Sequence, residues 1–186
     1  MKYCSECGPK LSEPANGGRP RMACPQCGAV YLLDPRLAAA CIAQWGDQVL
    51  LCRRATGPGH GLWSLPGGFI ESNEDPVTGA TRELLEEAGA SVKIERPYAL
   101  FRVAASHQLH IVYLATLLEI DFKPGSESLD AALFGESSAP CNQLAFASTR
   151  EALRRYFTDR RRGAFGFLYA DIVPFAPALH GDSGYP

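Results

Sequence analysis

The stretch from residue 66 to 90, PGGFIESNEDPVTGATRELLEEAGA, constrains this chain more than any other. Asp75 followed by Pro76 has the form of an N-cap and a first-turn proline, and Gly89 stands where a left-handed residue closes a helix. One helix with marked ends is therefore predicted over residues 76–88. On an α-helix Glu83 shares a face with Glu86 and Glu87, so three carboxylates converge beside Arg82. Like charges at this spacing cost an exposed helix only about 0.2–0.5 kcal/mol per pair, and a solvated surface tolerates that. Repulsion alone decides nothing.

The segments around the helix give it a context. Pro66, Gly67 and Gly68 end an apolar run, Leu62 to Leu65, with a backbone able to turn sharply and to approach a ligand closely. Carboxylate oxygens on a rigid element suit Mg²⁺ or Mn²⁺, and leave metal positions open for water and substrate phosphate oxygens.

Seven cysteines divide into four and three. Cys4 with Cys7, and Cys24 with Cys27, make two C-x-x-C knuckles each followed by glycine, the spacing of a tetrahedral Cys₄ zinc site. Disulfides are the weaker reading for a reducing compartment. A segment this short cannot build a core, so metal binding would supply most of its folding free energy, and four thiolates leave the zinc no open position for chemistry. Cys41, Cys52 and Cys141 lie alone and are expected to be small buried side chains. Through residue 33 the segment carries Lys2, Lys10, Arg19 and Arg21 against Glu6 and Glu13, without a basic run or a stacking platform, so a structural or dimer-supporting role is favoured over nucleic-acid binding.

Composition excludes several classes. With 46% hydrophobic residues and a formal net charge of −2, the chain suits a soluble globular domain plus a small one, not a protein that grips nucleic acid through a basic surface. The longest apolar runs are too short to span a bilayer, and the N-terminus MKYCSEC lacks the apolar segment of a signal peptide, so the expected location is cytoplasmic.

Three domains are expected: a zinc ribbon over 1–34, ending near Asp34 and Pro35, a main domain over 35–175 and a loose tail over 176–186. The main domain opens with a hairpin turning at Gly46 and Asp47. Further strands are predicted at 62–65, 91–95, 99–104 and 110–120, in a mixed sheet with helices on its faces, an α+β fold. His60 is read as a solvated loop residue, and His107 and His110 as surface or sheet-edge histidines. Ser148 or Thr149 is expected to cap a second helix with Leu153, Tyr156 and Phe157 on its apolar stripe and Arg160 to Arg162 at its solvated end.

Gly68, five residues, Glu74, seven residues, then Arg82, Glu83, Leu84, Leu85, Glu86, Glu87, Ala88, Gly89, Ala90 resembles an unbroken Nudix box, the signature of hydrolases that cleave a nucleoside diphosphate linked to another moiety. The resemblance implies an α/β/α sandwich after the small zinc ribbon, with Mg²⁺ (or Mn²⁺) held by Glu83, Glu86 and Glu87. Arg82 would orient these carboxylates through an ion pair to Glu74 or Glu86, and Gly67, Gly68 and Glu74 would shape the binding loop. Glu127, in the loop PGSESL, is expected to reach back to the metals or the attacking water. The general base stays open among Glu71, Glu83 and Glu127.

The two CxxCG knuckles, a hairpin ending LLCRR, the turn GLWSLPGG, the loop PGSESL and the segment LAF before a basic helix together resemble the zinc-ribbon Nudix group of plant and bacterial FAD and ADP-ribose pyrophosphatases. The segment FRVAASHQ departs from the plant members. An array SQPWPFPxS, which marks NADH pyrophosphatases, is absent, and NADH is disfavoured. The expectation is a Mg²⁺-dependent hydrolase, in a homodimer, releasing AMP from FAD or ADP-ribose. NADH and capped RNA stand as alternative substrates, and a non-catalytic nucleotide sensor or nucleic-acid binder on the same fold is the rival class.

Overall fold

The computed structural model describes residues 2–12, 21–32 and 34–172. The tail expected over 176–186 lies outside the described residues, as do Glu13 and Arg19. The chain divides into two compact units, Met1–Pro35 and Arg36–Pro186.

In the first unit each C-x-x-C segment forms a tight turn. Gly8 N–H donates to the Cys4 carbonyl at 3.1 Å and Gly28 N–H to the Cys24 carbonyl at 3.0 Å. Both glycines have positive φ, +90° and +74°, which a side chain would resist. The second turn joins β1 (Met22–Ala23) to β2 (Val30–Tyr31) in an antiparallel pair. Among the described residues of this unit the buried apolar ones are Cys4, Leu11 and Cys24, with Met22, Ala29 and Tyr31 packed against them. A core this small does not hold a chain folded on burial alone.

The second unit is built on an eight-stranded mixed sheet. β3 (Arg36–Trp45) and β4 (Gln48–Arg54) form the predicted hairpin, with Gly46 at φ +58° in the turn. β3 also pairs antiparallel with β6 (Gly67–Phe69) and parallel with β8 (Gln108–Leu117). β4 pairs with β5 (Trp63–Ser64) on the edge it shares with β3 and with β9 (Ser128–Phe134) on its other edge, while β7 (Val92–Val103) joins β8 antiparallel and β10 (Leu168–Asp171) parallel.

The two strands expected at 91–95 and 99–104 are one. Its pairing to β8 shifts register between Ile94 and Arg96 and again between Pro97 and Ala99, where proline has no N–H to give. The bulges break the alternation that made the segment read as two.

A helix covers each face. α1 (Pro76–Ala88) packs Ala80, Leu84 and Ala88 onto Cys41, Ala43, Leu50 and Cys52. α2 (Ala147–Arg162) packs Leu153, Tyr156 and Phe157 onto Ile42, Val49 and Leu51. The alternating residues of β3 and β4 thus serve two cores, as a doubly covered sheet requires. No helix among the described residues is long and apolar enough to cross a membrane.

α1 has the ends its sequence marks. Asp75 accepts from Val77 N–H at 2.8 Å and Thr78 N–H at 3.1 Å, and Gly89 closes the helix at φ +59°. α2 differs from expectation. Its N-cap is Phe146, which has no capping side chain, and Ser148 and Thr149 lie buried inside the first turn. Cys141 is also a correction: it is exposed in a short 3₁₀ turn, whereas Cys41 and Cys52 are buried.

Candidate active site

Two groups of side chains have the chemistry to hold metal. In the first unit the Sγ atoms of Cys4, Cys7, Cys24 and Cys27 all lie within 4.8 Å of one another. Cys4–Cys27 and Cys7–Cys4 separations are 3.6 Å and Cys7–Cys24 is 3.5 Å. These distances are far longer than a disulfide bond of about 2.05 Å. They approach the spacing of about 3.8 Å that a tetrahedral site with Zn–S near 2.3 Å requires. A hydrogen bond to the Tyr31 hydroxyl, 3.2 Å away, lowers the Cys4 thiol to about 6. Backbone hydrogen bonds, first at Cys27, lower Cys24 as well. These two shifts favour the thiolate, the form that binds metal. The hydrogen bond with Cys27 raises Cys7, and Cys27 is raised as well, so it is the spacing of the four sulfurs that carries the fit. The residues fit zinc.

The second group belongs to the other unit. The Pro66–Gly68 turn runs β6 along β3, and a Cβ at Gly67 would overlap the Ala39 carbonyl oxygen and Ala40. A Cβ at Gly68 would overlap the Glu83 carboxyl group. Two glycines therefore let one carboxylate lie directly on the loop backbone. The next is held by the same loop: Gly67 N–H donates to Glu87 Oε2 at 3.1 Å.

Arg82 organises the rest. Its Nε and Nη2 grip Glu74 at 3.1 and 2.7 Å, while Nη1 donates to Glu83 Oε1 at 2.9 Å and Glu86 Oε2 at 3.1 Å. Nη2 also donates to the Phe69 carbonyl at 3.2 Å. This is a forked pairing that only a guanidinium makes. It depresses the Glu74 carboxyl below the usual range. Glu74 does not line the cavity described next; its Oε1 also accepts from Glu71 N–H at 2.9 Å, so it braces the loop and the arginine.

Glu83, Glu86 and Glu87 line a cavity of about 900 Å³, together with Arg54, Arg82 and Glu127. Glu87 is buried, Glu83 half-buried and Glu86 exposed. Each has one oxygen taken, by Arg82 or by Gly67 N–H, and the other makes no hydrogen bond among the described residues. Burial raises the Glu83 carboxyl and pushes Glu87 up to about 7. Unlike the cysteines, the carboxylates do not close into a cluster with ligand atoms within 4.8 Å. They stand open around the cavity, and hard oxygen donors with a free oxygen each fit a magnesium-like cation that keeps water in its shell.

Glu127 is exposed at the cavity rim, its carbonyl accepting from Ala55 N–H at 2.9 Å, and Glu71 lines the same space. His60 is exposed, as read. His110 corrects the sequence reading. It is half-buried on β8 beside Ala38, lines the cavity, and lies 2.8 Å from Gln108 Oε1 and 3.2 Å from Ser148 Oγ. Period-two alternation would have aligned Gln108, His110 and Val112 on one face, but not shown that α2 meets them there.

Comparison with known proteins agrees with this geometry. Residues 34–159 match the NUDIX domain family and residues 2–31 its zinc-ribbon family, described as Nudix N-terminal. A NUDIX hydrolase from Nitrosomonas europaea superposes with TM-score 0.84 at 41% identity, covering 92% of this chain and all (100%) of that one. An ADP-ribose pyrophosphatase of Methanocaldococcus jannaschii is 29% identical over 118 residues, 61% of this chain and 69% of its own length. The NAD-capped RNA hydrolase NudC of Pseudomonas aeruginosa is 28% identical over 166 residues, 88% of this chain but only 58% of NudC. The chain belongs to the Nudix family, as a hydrolase that carries the family's N-terminal zinc ribbon.

Proposed function

We propose that the protein hydrolyses the pyrophosphate of a nucleoside diphosphate linked to a second moiety, ADP-ribose or FAD, and releases AMP. The observation that carries this reading is the arrangement of Glu83, Glu86 and Glu87 around a nucleotide-sized cavity, each with an oxygen left free. Mg²⁺ or Mn²⁺ bound by these carboxylates supplies charge neutralisation of the phosphate oxygens and a lowered pKa for a coordinated water.

The chain's own groups do the positioning. Arg82 fixes Glu83 and Glu86, Gly67 N–H fixes Glu87, and Gly68 keeps space for Glu83 against the loop. Water attacks one phosphorus in line, the bridging P–O bond breaks, and a carboxylate takes the proton. Glu71, Glu83 and Glu127 all line the cavity as candidates for that base. In the other unit the four cysteines hold zinc in a purely structural role.

ADP-ribose is supported by the Methanocaldococcus relative and capped RNA by the Pseudomonas relative, whereas FAD rests on the sequence resemblance. A cytoplasmic homodimer belongs to the same reading, and light scattering tests the dimer. The deciding experiment offers purified protein with Mg²⁺ a panel of ADP-ribose, FAD, NADH, nucleoside triphosphates and capped RNA, with products identified. ADP-ribose or FAD is expected to yield AMP, and Glu86→Gln or Glu87→Gln to lose at least about 100-fold in rate while staying folded. A panel left wholly uncut would sink the hydrolase and favour a nucleotide sensor.

A further inference from the structure

The cavity lining is chemically two-sided. All its charged side chains come from β4, α1 and the loops after β6 and before β9. The lining contributed by β7, β8 and α2, which includes Val103, Gln108, His110, Val112, Ser148 and Thr149, carries no acidic or basic side chain apart from the imidazole. Burial lowers the pKa of that imidazole and so favours its neutral form. Phosphates belong with the charged part; the neutral part faces something uncharged.

Its polar groups are held, not loose. With the Gln108 amide oxygen 2.8 Å from Nε2 of His110, the proton sits on Nε2, and Nδ1 is left to accept from the Ser148 hydroxyl at 3.2 Å. The ring is pinned at both nitrogens. What remains available is the Ser148 oxygen as an acceptor, the Gln108 NH₂ as a donor, and Thr149. Thr149 is 5% exposed, and its hydroxyl makes no hydrogen bond to any described residue. The first-turn amides of α2 add donors, since Phe146 offers no side-chain cap. Donors and acceptors thus alternate beside the apolar Val103, Val112 and Phe146, all of which line the same space.

Resting on the proposed pyrophosphatase reading, we infer that Gln108, Ser148 and Thr149, held in place by His110, read the polar edge of a heteroaromatic ring of the substrate. A ring has apolar faces and an edge of mixed donors and acceptors, which a sugar or a phosphate does not combine. Adenine and isoalloxazine share that chemistry. Gln108, Ser148 and Thr149 are the residues that touch the ring; His110 is a positioning residue.

The test uses the whole zinc-loaded chain and measures binding of AMP, FMN and ribose 5-phosphate by calorimetry, beside KM and kcat for ADP-ribose and FAD. Ser148→Ala, which unpairs His110 Nδ1 but is small enough to leave the protein folded, with the melting temperature measured alongside, is expected to weaken AMP or FMN about tenfold, with ribose 5-phosphate changed less than about twofold. Loss on AMP assigns the ring as adenine, loss on FMN as flavin. His110→Leu should show the same selective loss, through KM, and His110→Asn, which keeps a hydrogen-bonding atom near Ser148, should restore part of it. Equal weakening of all three ligands, or of none, overturns the inference. Wild-type protein that cuts nothing yet loses AMP selectively in Ser148→Ala would sink the hydrolase reading alone.

Discussion

The two metal-ligand groups of this chain are opposites in construction. Four thiols stand 3.5–3.6 Å apart in neighbouring pairs and offer a closed tetrahedron. Three carboxylates line a cavity without closing on each other. The first has nothing to spare for a substrate, and the second keeps one free oxygen per residue. A ligand set that completes a coordination sphere folds a chain; one that leaves the sphere incomplete can share it with a phosphate.

The sharpest way to break that contrast is to remove the zinc. With Cys4, Leu11 and Cys24 the buried apolar residues among those described, the first unit shows too small an apolar cluster to replace a metal whose binding contributes on the order of 10 kcal/mol or more. Chelation, or Cys24→Ser, is expected to collapse the amide NMR dispersion of residues 2–12 and 21–32 and leave the signals of the sheet in place. Dispersion that persists once zinc is shown to be gone would mean the ribbon is not metal-folded.

The open site predicts a different response to pH. The Glu87 carboxyl sits at about 7, chiefly through burial, against an ordinary value of 4.5, so between those values the folded protein holds a proton that the unfolded chain has released. The sign follows: without divalent metal, stability falls as pH rises from about 4.5 to 7, by on the order of 3 kcal/mol from this group, and then levels. Mg²⁺ favours the carboxylate, so its affinity should rise over the same window and its binding should release protons. Urea midpoints from pH 4.5 to 8, with and without Mg²⁺, read this directly. Glu87→Gln should abolish the group's share of the slope; a slope unchanged in that variant would refute the assignment.

How legible each region was follows from where its information lies. The cysteine quartet and α1 are local: two knuckles, an Asp-Pro start and a Gly stop are read from a few adjacent residues, and the structure places Cys4, Cys7, Cys24 and Cys27 together and starts α1 at Pro76. The hairpin at Gly46 is local too. What stayed hidden depends on pairings between distant segments. His110, with Gln108 on its other nitrogen, meets Ser148 only because β8 runs parallel to β3 and α2 covers that face. Ser148 read as a cap because serine starts many helices, but it was needed inside the first turn, against the histidine. The bulges at Pro97 likewise reflect the partner strand as much as the local sequence.

Arg82 gives the smallest effect and the finest discrimination between closed and open sites, because it holds Glu83 and Glu86 in their open arrangement while Gly67 N–H holds Glu87. Its five donors reach Glu74, Glu83, Glu86 and the Phe69 carbonyl at once. Arg82→Lys keeps one positive charge but loses the fork, so it can satisfy Glu74 or the metal-facing carboxylates, not both. The expected result is a folded protein with Mg²⁺ affinity and activity lower by about 10- to 100-fold, the usual cost of losing a residue that orients ligands. Raising Mg²⁺ should recover part of the activity if orientation is what was lost. A lysine variant with wild-type Mg²⁺ dependence would show that charge alone suffices, and that the carboxylates keep their positions through Gly67, Gly68 and the helix without the guanidinium.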